Sequence, residues 1–438
     1  MFKRITVIFC TALISSGIFA LEIFAQDGMV QESEIRALKG EVRSLKWNIK
    51  ESKYVYDKMN SFIIPQKKGT TLVHQENFSD LLFSTLNKSS KPVGMLPSSQ
   101  FPLGILKQRN LYDKYTLIFS GCLQTNAQYW YGNKIEINDR NKNTTYKSGK
   151  TIHVSTASLY TTVNIDNYVT GILVLTGNEK TSLNIKNAFF IFGNLEKCPI
   201  YASIGRKSVD LGSFSGGGTS TASLMATLFR PNDTTNVSLA YHNKNLNTNI
   251  SIFKTNDHKM NFSAAAFHSG NIYNCNYSVN IGYVYNMNIT DQRVLENSKK
   301  NNILQVGSID IDISLNSGIF SFRSGYAQTT NKYSETNDSY AGAWYLQSCI
   351  SPSILDKITN FSVSYHGAYN TSRMPVALTG SIINGYKPSK TNVNRMVITS
   401  MRRSLLTNNI LVGAEHVYMH MYNNQHTHAY TLSLSAYF

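Results

Sequence analysis

From about residue 115 to the C-terminus, apolar and polar residues alternate with a period of two. The clearest stretch is Ser308–Leu315, in which four aliphatic residues alternate with serine and aspartate. Residues 157–166 and 361–370 show the same alternation. A period of two predicts β-strands, because successive side chains of a strand point to opposite faces of the sheet. Each strand is therefore expected to have one apolar and one polar face.

About sixteen such segments follow one another, and single-chain outer-membrane barrels have an even number of strands. Long polar connections follow the odd-numbered segments, and short turns such as residues 316–318 follow the even-numbered ones. The long connections are residues 131–150, 209–233, 288–301 and 371–391. We therefore predict an all-β fold, a transmembrane antiparallel β-barrel of about 16 strands that occupies residues 114–438.

The chain ends on a strand whose alternate positions are all apolar or aromatic. A last strand of this kind can pair with an open sheet edge during insertion, and its pattern resembles the C-terminal assembly signal of outer-membrane barrels. We expect it to be read by the barrel assembly machinery. A secreted β-sandwich or β-helix is the alternative, and this chain end argues against it. The residues of the predicted membrane-assembly signal are Tyr430, Leu432, Leu434, Ala436 and Phe438.

Residues 1–25 have the organisation of a signal peptide, with two cations, an uncharged apolar run and Ala25 at a cleavage position. Glu22 shortens the apolar run below the roughly 20 residues that span a bilayer, so an uncleaved anchor helix is less favoured. We predict export and location in the outer membrane of a Gram-negative cell. The lipid bilayer of that membrane is then the first partner of the protein.

Residues 26–60 carry a heptad pattern that predicts a short coiled-coil helix in the periplasm. Homo-oligomerisation through this helix follows from the pattern, and an amphipathic helix packed on its own barrel is the alternative. Residues 61–113 contain four prolines and serine-rich stretches, which predict a linker or a periplasmic segment. The apolar seam of the coiled coil consists of Ile35, Leu38, Val42, Leu45 and Ile49.

Few sequence features indicate catalysis or metal binding. No H-E-x-x-H, G-x-S-x-G or paired-cysteine motif occurs, so we predict neither an enzyme nor a cofactor, with a barrel-embedded hydrolase as the alternative. Four histidines near the last predicted outer loop could bind a transition metal, but no carboxylate or cysteine close in sequence completes such a site. We predict no metal. These histidines are His416, His420, His426 and His428.

Residues 216–218 are three consecutive glycines in a loop rich in serine and threonine. No Lys-Ser/Thr follows them at the P-loop spacing, so they do not predict a phosphate-binding loop. They indicate a flexible loop, with folding into the lumen as one outcome.

Residues 191–206 read IFGNLEKCPIYASIGR and are followed by LGSF at residues 211–214. This stretch resembles the strand-turn-strand signature of the LbtU-type siderophore porins, and Pro102–Leu106 ahead of the first strand also fits that family. The resemblance implies a coiled coil before a barrel of about sixteen strands, and uptake of siderophores. In physical terms the motif predicts a periplasmic hairpin turn, so it does not mark a ligand site.

The formal net charge of the chain is +16, and a basic lumen would concentrate anions. Because the cations are scattered and the chain is exported, we predict no nucleic-acid binding. With the resemblance, the charge predicts a porin for facilitated uptake of anionic ferric siderophore or similar iron complexes. A general anion-preferring porin and an adhesin or structural barrel are the alternatives. The candidate lumen cations are Arg323, Lys207, Arg395, Arg402 and Arg403.

A peptide of residues 31–60 is expected to be helical and to self-associate, because its a and d positions are apolar over at least three heptads. Circular dichroism and sedimentation over a range of concentrations measure both properties. Leu45→Asn in the seam should abolish association, and Ser44→Asn beside the seam should not. A wild-type peptide that stays monomeric at high concentration would remove the case for oligomerisation through this segment.

Overall fold

Ten stretches of the chain are described by the computed structural model: residue 96 and residues 100–109, 114–139, 142–179, 181–254, 260–287, 306–332, 339–372, 393–405 and 409–438. At residues 134–139, 142–147 and 181 the description covers the backbone alone. The predicted signal peptide and the predicted coiled coil, including its seam from Ile35 to Ile49, lie outside the described residues.

Strands make up most of the described chain, and two short helices accompany them. The helices are α1 (Phe101–Gln108) and α2 (Leu224–Phe229). The strands are β1 (Thr116–Asp139), β2 (Lys142–Asp166), β3 (Val169–Asn178), β4 (Thr181–Gly193), β5 (Ile200–Lys207), β6 (Thr234–Asn243), β7 (Leu246–Lys254), β8 (Met260–Ile272), β9 (Cys275–Val284), β10 (Ser308–Ser317), β11 (Phe320–Thr329), β12 (Gly342–Ile350), β13 (Ser353–Ile354), β14 (Lys357–Tyr369), β15 (Val393–Ser404), β16 (Ile410–Met421) and β17 (His426–Tyr437).

All of these strands belong to one antiparallel sheet that closes on itself. Each strand pairs with its neighbour in sequence, except that β12 pairs with β14 and the two-residue β13 only forms a hairpin with β14. The ring closes where β17 pairs with β1, from Cys122 opposite Tyr437 to Gly132 opposite Thr427. Without β13, sixteen described strands form the barrel, which confirms the predicted fold class.

The two faces of the strands have opposite chemistry. Along β10, Ile309, Ile311 and Ile313 are exposed on the outer wall, whereas Asp310 and Asp312 are buried on the inner wall. Exposed leucine, isoleucine, valine and phenylalanine side chains recur on the outer wall of the other strands. A closed ring whose outer wall is apolar satisfies its backbone hydrogen bonds internally and faces lipid, as the alternation of the sequence predicts.

The two ends of the barrel differ in their connections. At one end, called the turn end here, short turns join β2 to β3, β6 to β7, β8 to β9 and β10 to β11. In the last of these, Gly318 has a φ of +57°, a left-handed conformation that glycine adopts without strain. The opposite end, called the loop end, carries the connections that follow β1, β5, β9, β11 and β14.

One predicted connection is wrong. Residues 131–150 were expected to form a long polar loop, but β1 and β2 continue to pair as far as Asp139 opposite Lys142. Residues 132–148 are rich in asparagine, lysine and threonine, so their sequence resembles a loop. The connection predicted at residues 288–301 lies outside the described residues, and so does that predicted at residues 371–391 except for its first two residues.

The chain end completes the seam between β17 and β1. The Gly121 N–H donates to the Phe438 carbonyl oxygen (2.7 Å), and the Phe438 N–H donates to the Gly121 carbonyl oxygen (3.1 Å). The Phe438 ring lies over Gly121 so closely that any Cβ there would overlap it. Tyr430, Leu432 and Leu434 are exposed along the same outer face. Their role as an assembly signal stays a prediction.

Phe438→Ala is expected to lower the amount of closed barrel in the membrane, because the ring covers the last hydrogen-bonded pair of the seam. The Phe438 side chain is 67% exposed, so little packing within the protein is lost with it. Phe320→Ala is the matched control, since Phe320 is 62% exposed on the outer wall and lies on β11, which pairs with neither β17 nor β1. The readout is the fraction of protein that migrates faster unheated than boiled. Equal fractions for the two variants would contradict the prediction.

Candidate functional site

The barrel interior is the candidate functional site, and neutral polar side chains line much of it. On β5 to β9 the inward positions are occupied mainly by asparagine and serine, most of them buried. The register aligns Ser203, Ser238, Ser251 and Ser263 in one row across β5, β6, β7 and β8. The hydroxyls of Ser238 and Ser251 are 2.8 Å apart. This wall offers hydrogen bonds without net charge.

A second feature of the interior is the connection between β5 and β6. Residues 208–233, called the inserted segment here, fold into the barrel and contact the inner walls of strands on its far side. The sequence had counted residues 209–233 among the outer connections, with folding into the lumen as an outcome for the three glycines. The lumen placement is the one observed.

At its start the inserted segment is held by Asp312 on β10. The backbone N–H groups of Ser213 and Phe214 both donate to Asp312 Oδ2, each at 3.2 Å. Asp312 Oδ1 accepts from the hydroxyl of Tyr345 at 2.7 Å. A carboxylate that accepts two backbone N–H groups makes charge-assisted hydrogen bonds, which are stronger than neutral ones.

A second carboxylate, Glu415 on β16, holds the middle of the segment. Glu415 Oε2 accepts the backbone N–H groups of Ser220 (2.9 Å) and Thr221 (3.3 Å), and Oε1 accepts from the Thr221 hydroxyl (2.5 Å). Between the two carboxylates, Gln347 Nε2 donates to the Gly217 carbonyl oxygen at 3.1 Å. The segment is therefore fixed to β10, β12 and β16 by its own backbone groups.

Glycine is required where the segment touches the wall. Gly216 has a φ of +90°, and a Cβ there would overlap the ring of Tyr345. At Gly218 a Cβ would overlap the Glu415 carboxylate. Gly216 and Gly218 therefore allow the backbone to approach the wall closely.

Helix α2 ends the inserted segment and packs against β11, β12 and β14. Ser223 caps its N-terminus by accepting from the Ala226 N–H at 3.1 Å. Its apolar side chains join a buried cluster with inward residues of the barrel, including Ala343, Met396 and Val417. The inner wall is thus apolar where α2 covers it, and burial of this surface holds the helix in the lumen.

Helix α1 lies against the opposite part of the inner wall. Its residues Phe101, Leu103 and Ile105 form a buried cluster with inward side chains of β3 and β4, such as Ile172 and Phe189. The rings of Phe101 and Phe189 are 6.0 Å apart. The described part of the segment predicted as a linker or a periplasmic segment, Leu96 and residues 100–109, therefore packs in the barrel interior.

The sequence contains a signal that α1 covers the inner side of β3 and β4. A prediction based only on the alternation of apolar and polar residues misses it. Residues 172–175 and 189–192 are continuous apolar runs, not alternating ones. A strand that is apolar on both faces must be covered on both faces. Here lipid faces the outer side and α1 covers the inner side.

Arg109 fixes the end of α1 at the turn end of the barrel. Its Nε donates to the Thr170 hydroxyl (2.8 Å), and its Nη1 donates to the carbonyl oxygens of Asn167 (3.0 Å) and Gly193. Burial lowers the pKa of Arg109 to about 10, with attraction by Asp166 opposing the change, so the guanidinium stays charged at neutral pH. One side chain thus joins α1 to two turns.

The five candidate lumen cations are divided between the two walls. Arg323 (1% exposed) and Lys207 (2% exposed) are buried on the inner wall, where Lys207 forms an ion pair with Asp210 at 2.7 Å and Arg323 donates to Gln347 at 3.3 Å. Arg402 shares the inner wall with Tyr437, to which it donates at 3.4 Å.

Arg395 and Arg403 occupy alternate positions of β15 on the outer wall, where Arg403 donates to the Ile354 carbonyl oxygen. On the inner wall, the carboxylates of Asp210, Asp310, Asp312 and Glu415 accompany the cations. The buried charges of the described interior are therefore mixed in sign, in contrast to the basic lumen expected from the net charge.

The four histidines are brought to the outer wall, on alternate positions of β16 and β17. His416 Nε2 and His428 Nδ1 are 3.2 Å apart, and His420 Nδ1 lies 2.9 Å from Asn394 Oδ1. Among the described residues, no group of three or more histidine, cysteine, aspartate or glutamate side chains is arranged to hold a metal ion.

This protein is a transmembrane β-barrel. Its sheet is closed, its outer wall is apolar, and an inserted segment narrows its largely polar interior. Within the described ranges, no helix is long and apolar enough to cross a membrane. Residues 75–309, more than half of the chain, match the model of the family described as "Protein of unknown function (DUF3573)". The chain belongs to this family.

Solved structures of outer-membrane proteins have a similar barrel. OmpF of Salmonella typhi in complex with daunomycin has 9% sequence identity and a TM-score of 0.48, with 74% of this chain and 97% of that chain covered. The anion-selective porin from Comamonas acidovorans has 9% identity and a TM-score of 0.46, with 74% and 99% covered. Similarity at this level carries no conclusion about function. No curated protein matches the sequence.

Asp312→Asn and Glu415→Gln are each expected to loosen the inserted segment, because each removes a charge from hydrogen bonds worth roughly 1.5–3 kcal/mol. Hydrogen exchange of residues 208–233 measures this, and exchange is expected to be about tenfold faster for each 1.4 kcal/mol lost. Glu179→Gln is the control, since Glu179 accepts from the Val154 N–H at the exposed rim. Unchanged protection in both variants would mean that α2 packing alone holds the segment.

Proposed function

We propose that the protein is an outer-membrane porin that lets small polar solutes diffuse through the barrel interior. The observation that carries this proposal is the inserted segment, which two carboxylates hold across a polar interior. A structural barrel needs no backbone segment fixed inside it by charged side chains. In a diffusion channel such a segment narrows the passage and sets which solutes fit.

The outer membrane is the location that fits this barrel. Its outer wall is apolar and its sheet has no free edge, and such a surface is stable in lipid. By the rule that short turns of these barrels are periplasmic, the turn end and Arg109 face the periplasm. The signal peptide at residues 1–25, the periplasmic helix at residues 26–60 and oligomerisation through its seam belong to this proposal.

The inner wall supports a preference for hydrophilic solutes of either charge. Asparagine and serine dominate the inward side of β5 to β9, and they donate and accept hydrogen bonds without favouring one charge. The buried cations Lys207 and Arg323 are accompanied by Asp210 and Asp312. This mixture supports a general porin over one that selects anions.

Uptake of anionic ferric siderophore is the narrower candidate. It is supported by the resemblance at residues 191–206, which lie in the hairpin of β4 and β5. Arg323 and Lys207 are cations of the inner wall, but both are buried and Lys207 is paired with Asp210. The mixed charge of the interior adds no support to this candidate.

Purified protein in liposomes is expected to admit a neutral pentose and to show a permeability ratio of small anions to small cations near one. Asp312→Asn with Glu415→Gln should change the solute size limit, because the inserted segment sets it, and Glu179→Gln should not. Liposome swelling and the reversal potential in a salt gradient are the measurements. Barrels that insert but pass no solute would overturn the porin proposal and favour an adhesin or structural barrel.

The siderophore candidate has a separate test in cells lacking the protein. Slower uptake of an iron-loaded carboxylate siderophore, with uptake of a small inorganic anion unchanged, would support it. An equal reduction of both would leave only the general porin.

A further inference from the structure

The outer wall formed by β15, β16, β17, β1 and β2 carries an arrangement that diffusion through the lumen does not use. The strand register aligns its outward side chains in rows. From the loop end, the rows are Arg395, His420 and His426; then Val397, Tyr418, His428 and Tyr131; then Thr399, His416, Tyr430, Tyr129 and Lys150; then Met401, Ala414, Leu432, Ala127 and Ile152. We call this surface the basic outer face.

The chemistry of the basic outer face changes in steps along the barrel axis. Arg395, Lys150 and the four histidines lie in the three rows nearest the loop end. Tyrosines occupy the second and third rows, and aliphatic side chains fill the fourth. No aspartate or glutamate occurs among the outward residues of these rows. The surface is therefore basic at one end, aromatic in the middle and apolar below.

Ring contacts fix the middle of this face. The rings of His416 and Tyr430 stack at 4.6 Å, and those of Tyr131 and His428 stack at 5.1 Å. Tyr418 contacts His428 at 5.0 Å. These packed imidazole and tyrosine rings, called the histidine plate here, lie between Arg395 and the apolar fourth row. Aromatic plates of this kind lie at the level of lipid headgroups.

Next to the plate, the outer wall has a groove of about 1340 Å³. Small side chains, including Ala127, Ala414 and Thr399, form part of its lining, and larger apolar ones such as Val363 and Leu432 also border it. Lys150, Tyr129 and His416 line its basic end. An apolar depression that ends in a cation has the shape and charge to hold an acyl chain below a negatively charged group.

We propose that the basic outer face binds a phosphate-bearing lipid of the outer leaflet, with its acyl chains in the groove and its phosphate near Lys150 and the histidine plate. The loop end is the outer-leaflet side, and phosphate is the negative group that membrane lipids supply at this depth. A second copy of the chain is a less suitable occupant, because it would bring the same basic side chains to this face. The inference rests on the outer-membrane placement and not on transport.

Native mass spectrometry of the full chain in detergent tests this proposal with two probes of identical acyl chains, phosphatidic acid and diacylglycerol. The wild type is expected to retain phosphatidic acid and to lose diacylglycerol. Lys150→Gln should weaken phosphatidic acid binding by roughly fivefold, since Lys150 is the cation that lines the groove. His428→Gln should weaken it further, because the plate then loses a stacked imidazole.

Arg403→Gln is the matched control, because Arg403 is also an outward cation of β15 but lies beyond the apolar rows. It should leave binding unchanged, and all variants should keep the heat-dependent migration of the closed barrel. Equal retention of diacylglycerol, complete competition by inorganic phosphate, or equal weakening by Arg403→Gln would overturn the proposal. One further outcome would overturn the proposal. It is a wild-type oligomer that excludes lipid and that dissociates in the double variant Lys150→Gln with Arg395→Gln.

Discussion

Every other feature of this protein depends on the pairing of its last strand with its first. In lipid no water can satisfy free backbone N–H and C=O groups, so an open sheet edge is not tolerated there. The pairing of β17 with β1, completed by the two hydrogen bonds between Gly121 and Phe438, removes that edge. Closure also creates two environments, an outer wall that faces lipid and an enclosed inner wall, and the side chains of each strand divide between them.

The enclosed wall is not uniform, and its variation follows what covers it. Where α1 and α2 pack, inward side chains such as Phe189 and Met396 are apolar. On β5 to β9 they are mainly asparagine and serine. The inserted segment lies between these regimes, with backbone N–H groups that need acceptors, and Asp312 and Glu415 supply them. Both carboxylates satisfy donors that would otherwise be buried without partners, so segment and wall stabilise each other.

Charge is distributed between the walls in a way that the net charge of +16 conceals. On the inner wall, buried cations share the space with carboxylates, as Lys207 does with Asp210. On the outer wall near the loop end, Arg395 and Lys150 accompany histidines with no carboxylate in their rows. A basic chain therefore need not have a basic lumen, and positive charge on the outer wall points to the lipid headgroups rather than to a solute.

The sequence by itself determined the fold class and which face of most strands meets lipid. Alternation such as that of residues 308–315 depends only on the geometry of a strand, which is local. Tertiary structure alone decided that residues 209–233 fold inwards and that β15 turns Arg402 inward and Arg395 outward. It also decided that α1 lies in the lumen. These placements depend on partners far apart in sequence, such as Phe214 and Asp312, and on register, where a shift of one residue exchanges the two walls. No local pattern encodes either.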